Sequence, residues 1–213
     1  SITSSMTEFP GGNPGRKTMG FLARPKDNGK YPAVIVIHEI WGVVDHIRDV
    51  SNRLAREGYV ALAVDLFEGK TVSKLEEGLK FREQFSEEKI LGDLNGAFNY
   101  LEGLPYVNPK RIGSIGFCMG GGLSLLLACQ NKELAAAVVF YGRNPSPIDR
   151  VKNIQCPILC NYAGADIAIT EKDINLLKQT LTRNGKTFDI KATLKPRPQE
   201  LLNEIPINPF PSP

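Results

Sequence analysis

Three short apolar runs constrain this chain more than any other feature: "YPAVIVIHEI" at 31–40, "YVALAVDLF" at 59–67 and "RIGSIGF" at 111–117. The first is rich in β-branched residues, and each predicts a buried strand. Helix-period sequence separates them. In "VVDHIRDVSNRLAREG" (43–58), Ile47, Val50, Leu54 and Ala55 fall on one face, and Gly58 is a good stop. The charged segment 72–103 carries Leu75, Leu79, Ile90, Leu94, Phe98 and Leu101 at helical spacing, which predicts two helices. A helix at 121–130, strands at 135–142 and 156–166, a helix at about 171–184 and a strand at about 187–193 continue the alternation, and "KTMGFLARP" (17–25) predicts an early edge strand. Strands alternating with helices imply an α/β fold, a mostly parallel sheet with helices on both faces. No internal repeat or linker divides the 213 residues, so a single domain over 1–213 is expected.

The end of the chain breaks the pattern. Six of the fifteen prolines fall in the last eighteen residues, where proline removes amide donors and blocks helix and central strand. Residues 192–213 are therefore expected to form an irregular, proline-rich tail.

Composition excludes several classes of function. With 42% hydrophobic and 23% charged residues this is an ordinary soluble composition, and a net charge of +3 is too small to argue for nucleic acid or anionic membrane as a partner. No apolar run approaches the length of a membrane span, and no signal-peptide core is visible. Cys118, Cys129, Cys156 and Cys160 lack the paired C-x-x-C spacing of a metal site, and four cysteines in a chain this long are no disulfide scaffold. A reduced, cytoplasmic protein without a metal is the expectation.

The chemistry concentrates at "GFCMGGG", 116–122. Gly116-x-Cys118-x-Gly120 has the spacing of the nucleophile elbow G-x-S-x-G, with sulfur in place of the hydroxyl. On such a strand-to-helix turn the side chain is lifted clear of the backbone, and the helix N-terminus favours thiolate. A lone cysteine at a strand end is otherwise an inert buried residue; the glycine frame argues against that here. Glu39 follows an apolar strand at the point where it leaves the core, where a carboxylate needs a partner. Asp166 lies beyond the strand "PILCNYAGA", at a carboxyl end and so on the active-site side of the sheet. Trp41, the only tryptophan, either walls a pocket or packs the core, and Tyr141 and Arg143 are further wall candidates.

"IHEIWGVVDHIRDVSNRLAREGYVALAVDLF", "GDLNGAFNYL", "RIGSIGFCMGGG" and "VVFYG" resemble the dienelactone hydrolases, the cysteine-using branch of the α/β-hydrolase superfamily, over roughly residues 15–190. The resemblance implies an α/β-hydrolase fold and hydrolysis of small lactones or esters by a Cys-His-Asp triad, with no cofactor. It implies Cys118 as nucleophile, Asp166 as triad acid and Glu39 as the extra glutamate that contacts the thiol at rest and swings away when substrate binds. Backbone amides of Ile40 and Met119 would form the oxyanion hole. One departure matters. The family's catalytic histidine follows the last strand, but the residues after "KTFDIKATL" contain none, and the chain's two histidines are His38 and His46. His38 reads as structural and His46 as a solvated residue at the start of a surface helix. The final helix of the family is also missing from the pattern.

Three functions remain open on sequence grounds: a lactone or ester hydrolase impaired by the missing histidine, a non-hydrolytic Glu-Cys thiol protein that senses or repairs oxidation, and an inactive homologue acting as a binding module. Substrate identity and oligomeric state are not encoded in any motif.

Overall fold

A computed structural model describes residues 1–164, 166 and 168–193. One eight-stranded sheet runs in the order β1-β2-β4-β3-β5-β6-β7-β8. The strands are β1 (Ile2–Pro10), β2 (Lys17–Pro25), β3 (Tyr31–Ile37), β4 (Val60–Val64), β5 (Val107–Phe117), β6 (Ala137–Phe140), β7 (Ile158–Ala163) and β8 (Phe188–Thr193). β1 pairs antiparallel with β2, and β2 antiparallel with β4. From β4 through β8 every pairing is parallel. The helices are α1 (Asp45–Arg56), α2 (Leu75–Arg82), α3 (Glu87–Glu102), α4 (Met119–Gln130) and α5 (Glu171–Arg183), with a short 3-10 helix at Ile148–Asn153.

Side-chain alternation assigns each face of the central strands to a different layer. Ile35, Ile37, Leu62 and Val64 pack with Ile90, Leu94 and Phe98 of α3, in the cluster that also holds α4 and α5 side chains. Val36, Ala61 and Ala63 face the other way, onto Ile47 and Ala55 of α1. Alanines on that face let α1 lie close to the sheet.

Two sequence expectations need correction, the edge position of 17–25 and the start of the tail. The segment 17–25 is not an edge: β1, which has no strong apolar run, pairs along its whole length through the turn-forming "PGGNPG" and takes the edge position. The two helices expected over 72–103 are α2 and α3; on α2, Leu75 and Leu79 are 58% and 51% exposed, while Gly78 lies against Ile40. Residues 192 and 193, counted with the irregular tail, belong to β8, which stays in register with β7 through Thr193; the rest of the expected tail, 194–213, lies outside the described residues.

The carboxyl ends of four successive strands, β3, β5, β6 and β7, converge on one edge of the sheet. They deliver Glu39, Cys118, Tyr141 and Asp166 in that order. This is the crevice side of an open parallel sheet.

Candidate active site

The turn from β5 into α4 puts Cys118 at φ 54°, ψ −115°, a left-handed conformation that costs a non-glycine residue roughly 1–3 kcal/mol. Its neighbours hold it there. The Cys118 amide donates to Phe140 O of β6 at 3.0 Å, and the Gly122 amide returns to Cys118 O at 3.2 Å. Glycine is required by close approach rather than by flexibility. A Cβ on Gly116 would lie 1.8 Å from Gly120 O, and one on Gly120 would lie 2.2 Å from Ile37 O and 2.6 Å from His38 O. A Cβ on Gly121 would meet Phe140 O at 2.4 Å. Gly120 and Gly121 thus wedge the elbow between β3 and β6. No side chain caps α4, and the Met119 amide at its N-terminus interacts with the Cys118 sulfur.

Cys118 is the exposed cysteine of the four; Cys129, Cys156 and Cys160 are buried. Burial around the sulfur raises the Cys118 pKa; the Met119 amide opposes that shift, the negative charges of Glu39 and Asp166 add to it, and Arg143 opposes it. The resting group is a thiol, and the helix N-terminus alone does not make it a thiolate. Burial pushes Cys129 and Cys160 further, to about 12.

Glu39 is only 5% exposed. Its Oε1 accepts a hydrogen bond from the Tyr141 hydroxyl at 3.0 Å, and it makes no hydrogen bond with the Cys118 sulfur. Burial raises its pKa, while the Tyr141 hydroxyl, the charge of His46 and the Trp41 indole oppose the shift. Trp41 is half-buried against the core beside this carboxylate, so it is both wall and packing. Ile40 is buried beneath α2, and the close fit of Gly120 on the end of β3 brings the 37–40 backbone against the start of α4.

Asp166 is half-buried and within electrostatic reach of the thiol. Its Oδ1 accepts from the amides of Ala168 at 2.7 Å and Ile169 at 3.3 Å, forming a turn ahead of α5. His38 is not its partner. His38 is fully buried: its Nε2 accepts from the Leu66 amide at 3.1 Å, which leaves Nδ1 to donate to Glu39 O at 2.6 Å. Both ring nitrogens are committed, burial lowers its pKa, and the neutral ring ties the end of β3 to the end of β4. His46 is exposed on α1, with its ring edge toward Phe117 at 6.4 Å between centroids and its charge felt by Glu39. Its nearness to the site follows from the β3–α1 turn, and no local motif announces it.

A cavity of about 620 Å³ lies at the opposite edge of the sheet, lined by Ser1, Asp27, Tyr31 and Arg56 among others, and Cys118 is not part of it. Among the described residues no group of three His, Cys, Asp or Glu side chains is positioned to hold a metal, and no helix is long and apolar enough to cross a membrane.

Known proteins are similar to this chain in sequence and in fold. A profile of the dienelactone hydrolase family matches residues 18–192. A candidate carboxymethylenebutenolidase of Synechocystis sp. is 36% identical over 207 residues, covering 88% of this chain and 83% of that protein. Another, from Saccharolobus solfataricus, is 38% identical over 194 residues, covering 71% of this chain and 72% of that protein. Among solved structures, a candidate dienelactone hydrolase of Klebsiella pneumoniae superposes with a TM-score of 0.84 at 29% identity, over 92% of this chain and 86% of its own. Because the family match runs from β2 into β8 and takes in the whole elbow, the chain belongs to the dienelactone hydrolase family and is, by family, a hydrolase of the α/β-hydrolase fold.

Proposed function

We propose that the protein cleaves small lactones or esters by covalent catalysis from Cys118, and that this chain acylates but stalls before deacylation. The observation that carries the reading is the elbow: an exposed thiol held at φ 54° between β5 and the uncapped N-terminus of α4, with a buried carboxylate on the neighbouring strand end.

In the first step the thiol proton passes to the Glu39 carboxylate, and the thiolate adds to the substrate carbonyl. The new oxyanion is met by the amides of Met119 and Ile40; one such donor is typically worth about 10²–10³ in rate. Collapse expels the alcohol oxygen, which takes back the proton held by Glu39, and a thioester on Cys118 remains. Trp41 and Arg143 border the substrate. Water must then attack the thioester without the imidazole that the family pattern places after the last strand, which leaves the Glu39 carboxylate, a weaker base than an imidazole, to activate it. Asp166, the triad acid in this reading, orients an imidazole rather than reaching the sulfur itself. No histidine lies between Asp166 and Pro213. Positioned acid–base catalysis is worth roughly 10²–10⁴, so deacylation slows by that order.

The Glu-Cys redox reading draws on the same exposed thiol beside a carboxylate. It is less well supported, because burial and the Glu39 charge hold the thiol above its ordinary pKa, the opposite of what peroxide sensing through a thiolate requires. The test is a rapid-mixing experiment with p-nitrophenyl acetate. One nitrophenolate per chain should appear in a burst, followed by a slow phase that added imidazole accelerates. Sustained turnover at the burst rate, or a burst that survives Cys118→Ala, refutes the proposal.

A further inference from the structure

Among the described residues the two most exposed large apolar side chains stand on one short helix, a turn apart: Leu75 and Leu79 of α2. A single exposed leucine needs no explanation, but a pair at this spacing makes a patch. The helix that carries them is fixed to the site. Gly78 is packed on the Ile40 peptide, where a Cβ would lie 2.9 Å from Ile40 O and 2.8 Å from Ile40 Cγ1. The segment leading into α2 is tied to the same place by the Val72 amide, which donates to Trp41 O at 3.2 Å. The helix therefore rests on the turn after β3, the turn that carries Glu39 and the Ile40 amide.

Helix geometry sets the direction of the leucines. At 3.6 residues per turn, Phe81 lies about 60° round the helix to one side of Gly78, and Leu75 and Leu79 lie about 60° and about 100° to the other. Phe81 meets Phe67, just past β4, and Phe85, just before α3, with ring centroids 5.1 Å and 5.2 Å apart. That flank is turned toward β4. Because β4 and β5 lie on opposite sides of β3, the leucine flank is the one turned toward β5 and Cys118. Arg82 shares the flank, but its guanidinium is folded back, Nη1 donating to Phe85 O at 2.9 Å. The Lys80–Glu76 ion pair, 2.9 Å long, stands on the side of the helix away from Gly78.

We propose that Leu75 and Leu79 form an apolar wall of the substrate site and select esters whose acyl group is an aliphatic chain. This rests on the reading of Cys118 as nucleophile and Ile40 as an oxyanion donor. The acyl part is the part to be held, since it stays on Cys118 as the thioester after the alcohol has left, with its carbonyl oxygen beside the Ile40 amide on which α2 is seated. Each CH2 that leaves water against the leucines is worth about fourfold when fully buried.

Burst rates with p-nitrophenyl acetate and p-nitrophenyl butyrate, each divided by its rate with free thiol, test this at a constant leaving group. The two additional CH2 groups should make the butyrate about tenfold faster in the parent. Leu75→Gln and Leu79→Gln together keep helix propensity and should bring the ratio to within about twofold of one. Lys80→Ala, on the outer side, should leave both rates as they are. A parent ratio near one, or a ratio that survives the double substitution, overturns the proposal. So does a Tm lowered by more than about 2 °C in the double variant, or a parent dimer that the variant abolishes, because another part of the chain or a second copy then covers the leucines. Alkylation of Cys118 reads the wall without acyl transfer, the sulfur displacing iodide. N-butyliodoacetamide should outpace iodoacetamide in the parent, relative to free thiol, and lose that lead in the double variant; no lead in the parent overturns the proposal. If the lead is present and lost as expected while neither ester acylates Cys118, the hydrolase reading fails and the wall stands. If both esters acylate Cys118 at equal relative rates, the wall fails and the hydrolase reading stands.

Discussion

Gly120→Ala should disable the site while leaving the rest of the fold in place. The added Cβ would lie 2.2 Å from Ile37 O and 2.6 Å from His38 O, both backbone atoms, and the first is about 1.2 Å short of ordinary contact at 3.4 Å. No flexible side chain can give way, so either the elbow or the end of β3 must move by on the order of 1 Å. Overpacking of this kind costs about 3 kcal/mol at its upper usual range. For a chain of this size that lowers Tm by roughly 6–12 °C. The functional cost is larger, because the shift separates Met119 from Ile40 across the expected oxyanion position, and a misplacement near 1 Å costs about 10² in rate. Gly122→Ala is the control two residues along the same helix: its Cβ would stand 3.3 Å from Arg143 O, a contact that relaxes by a few tenths of an ångström. Alanine also gains helix propensity there, so its Tm should stay within about 2 °C of the parent and its burst should survive. Melting curves and burst amplitudes on the two variants decide the matter. A Gly120→Ala protein with parental Tm and parental burst would refute the packing argument.

Two further outcomes follow from the neighbourhood of Glu39. His38→Ala leaves the Leu66 amide and the Glu39 carbonyl without their buried partner, at about 3 kcal/mol in total and a Tm loss of roughly 6–12 °C; lost acylation at unchanged Tm would instead make His38 a catalytic group. Glu39 binds its proton more tightly in the folded chain than at its ordinary value of 4.5, so its contribution to stability falls as pH rises through the folded pKa. Glu39→Gln should accordingly be more stable than the parent at pH about 8, with the gap closing as pH falls toward about 5 in urea titrations; a gap that widens on acidification contradicts the assignment.

Much of the fold was legible because buried parallel strands leave continuous apolar runs, and β3, β4 and the end of β5 fall where those runs lie. β1 was missed because an edge strand paired on one side needs no apolar face: only Phe9 among its residues is fully buried. Leu75 and Leu79 marked α2 correctly but are exposed on it, because helical spacing reports a stripe, not what covers it. At the candidate site, Cys118, Glu39 and Asp166 were singled out from strand-end position and motif, and the fold brings them to one edge of the sheet. The Tyr141–Glu39 bond was not, since it joins residues 102 positions apart across an intervening strand. His46 was set aside as solvated for a related reason: its reach toward Glu39 depends on how α1 folds back after β3.

A thioester at Cys118 is the central intermediate of the proposed reaction. Peptide mapping by mass spectrometry after a short exposure to p-nitrophenyl acetate and an acid quench reads it directly. One acetyl group per chain, on the peptide carrying Cys118 and absent from Cys118→Ala, is the expected result; acetyl on another residue, or none on Cys118 while nitrophenolate is released, would contradict it.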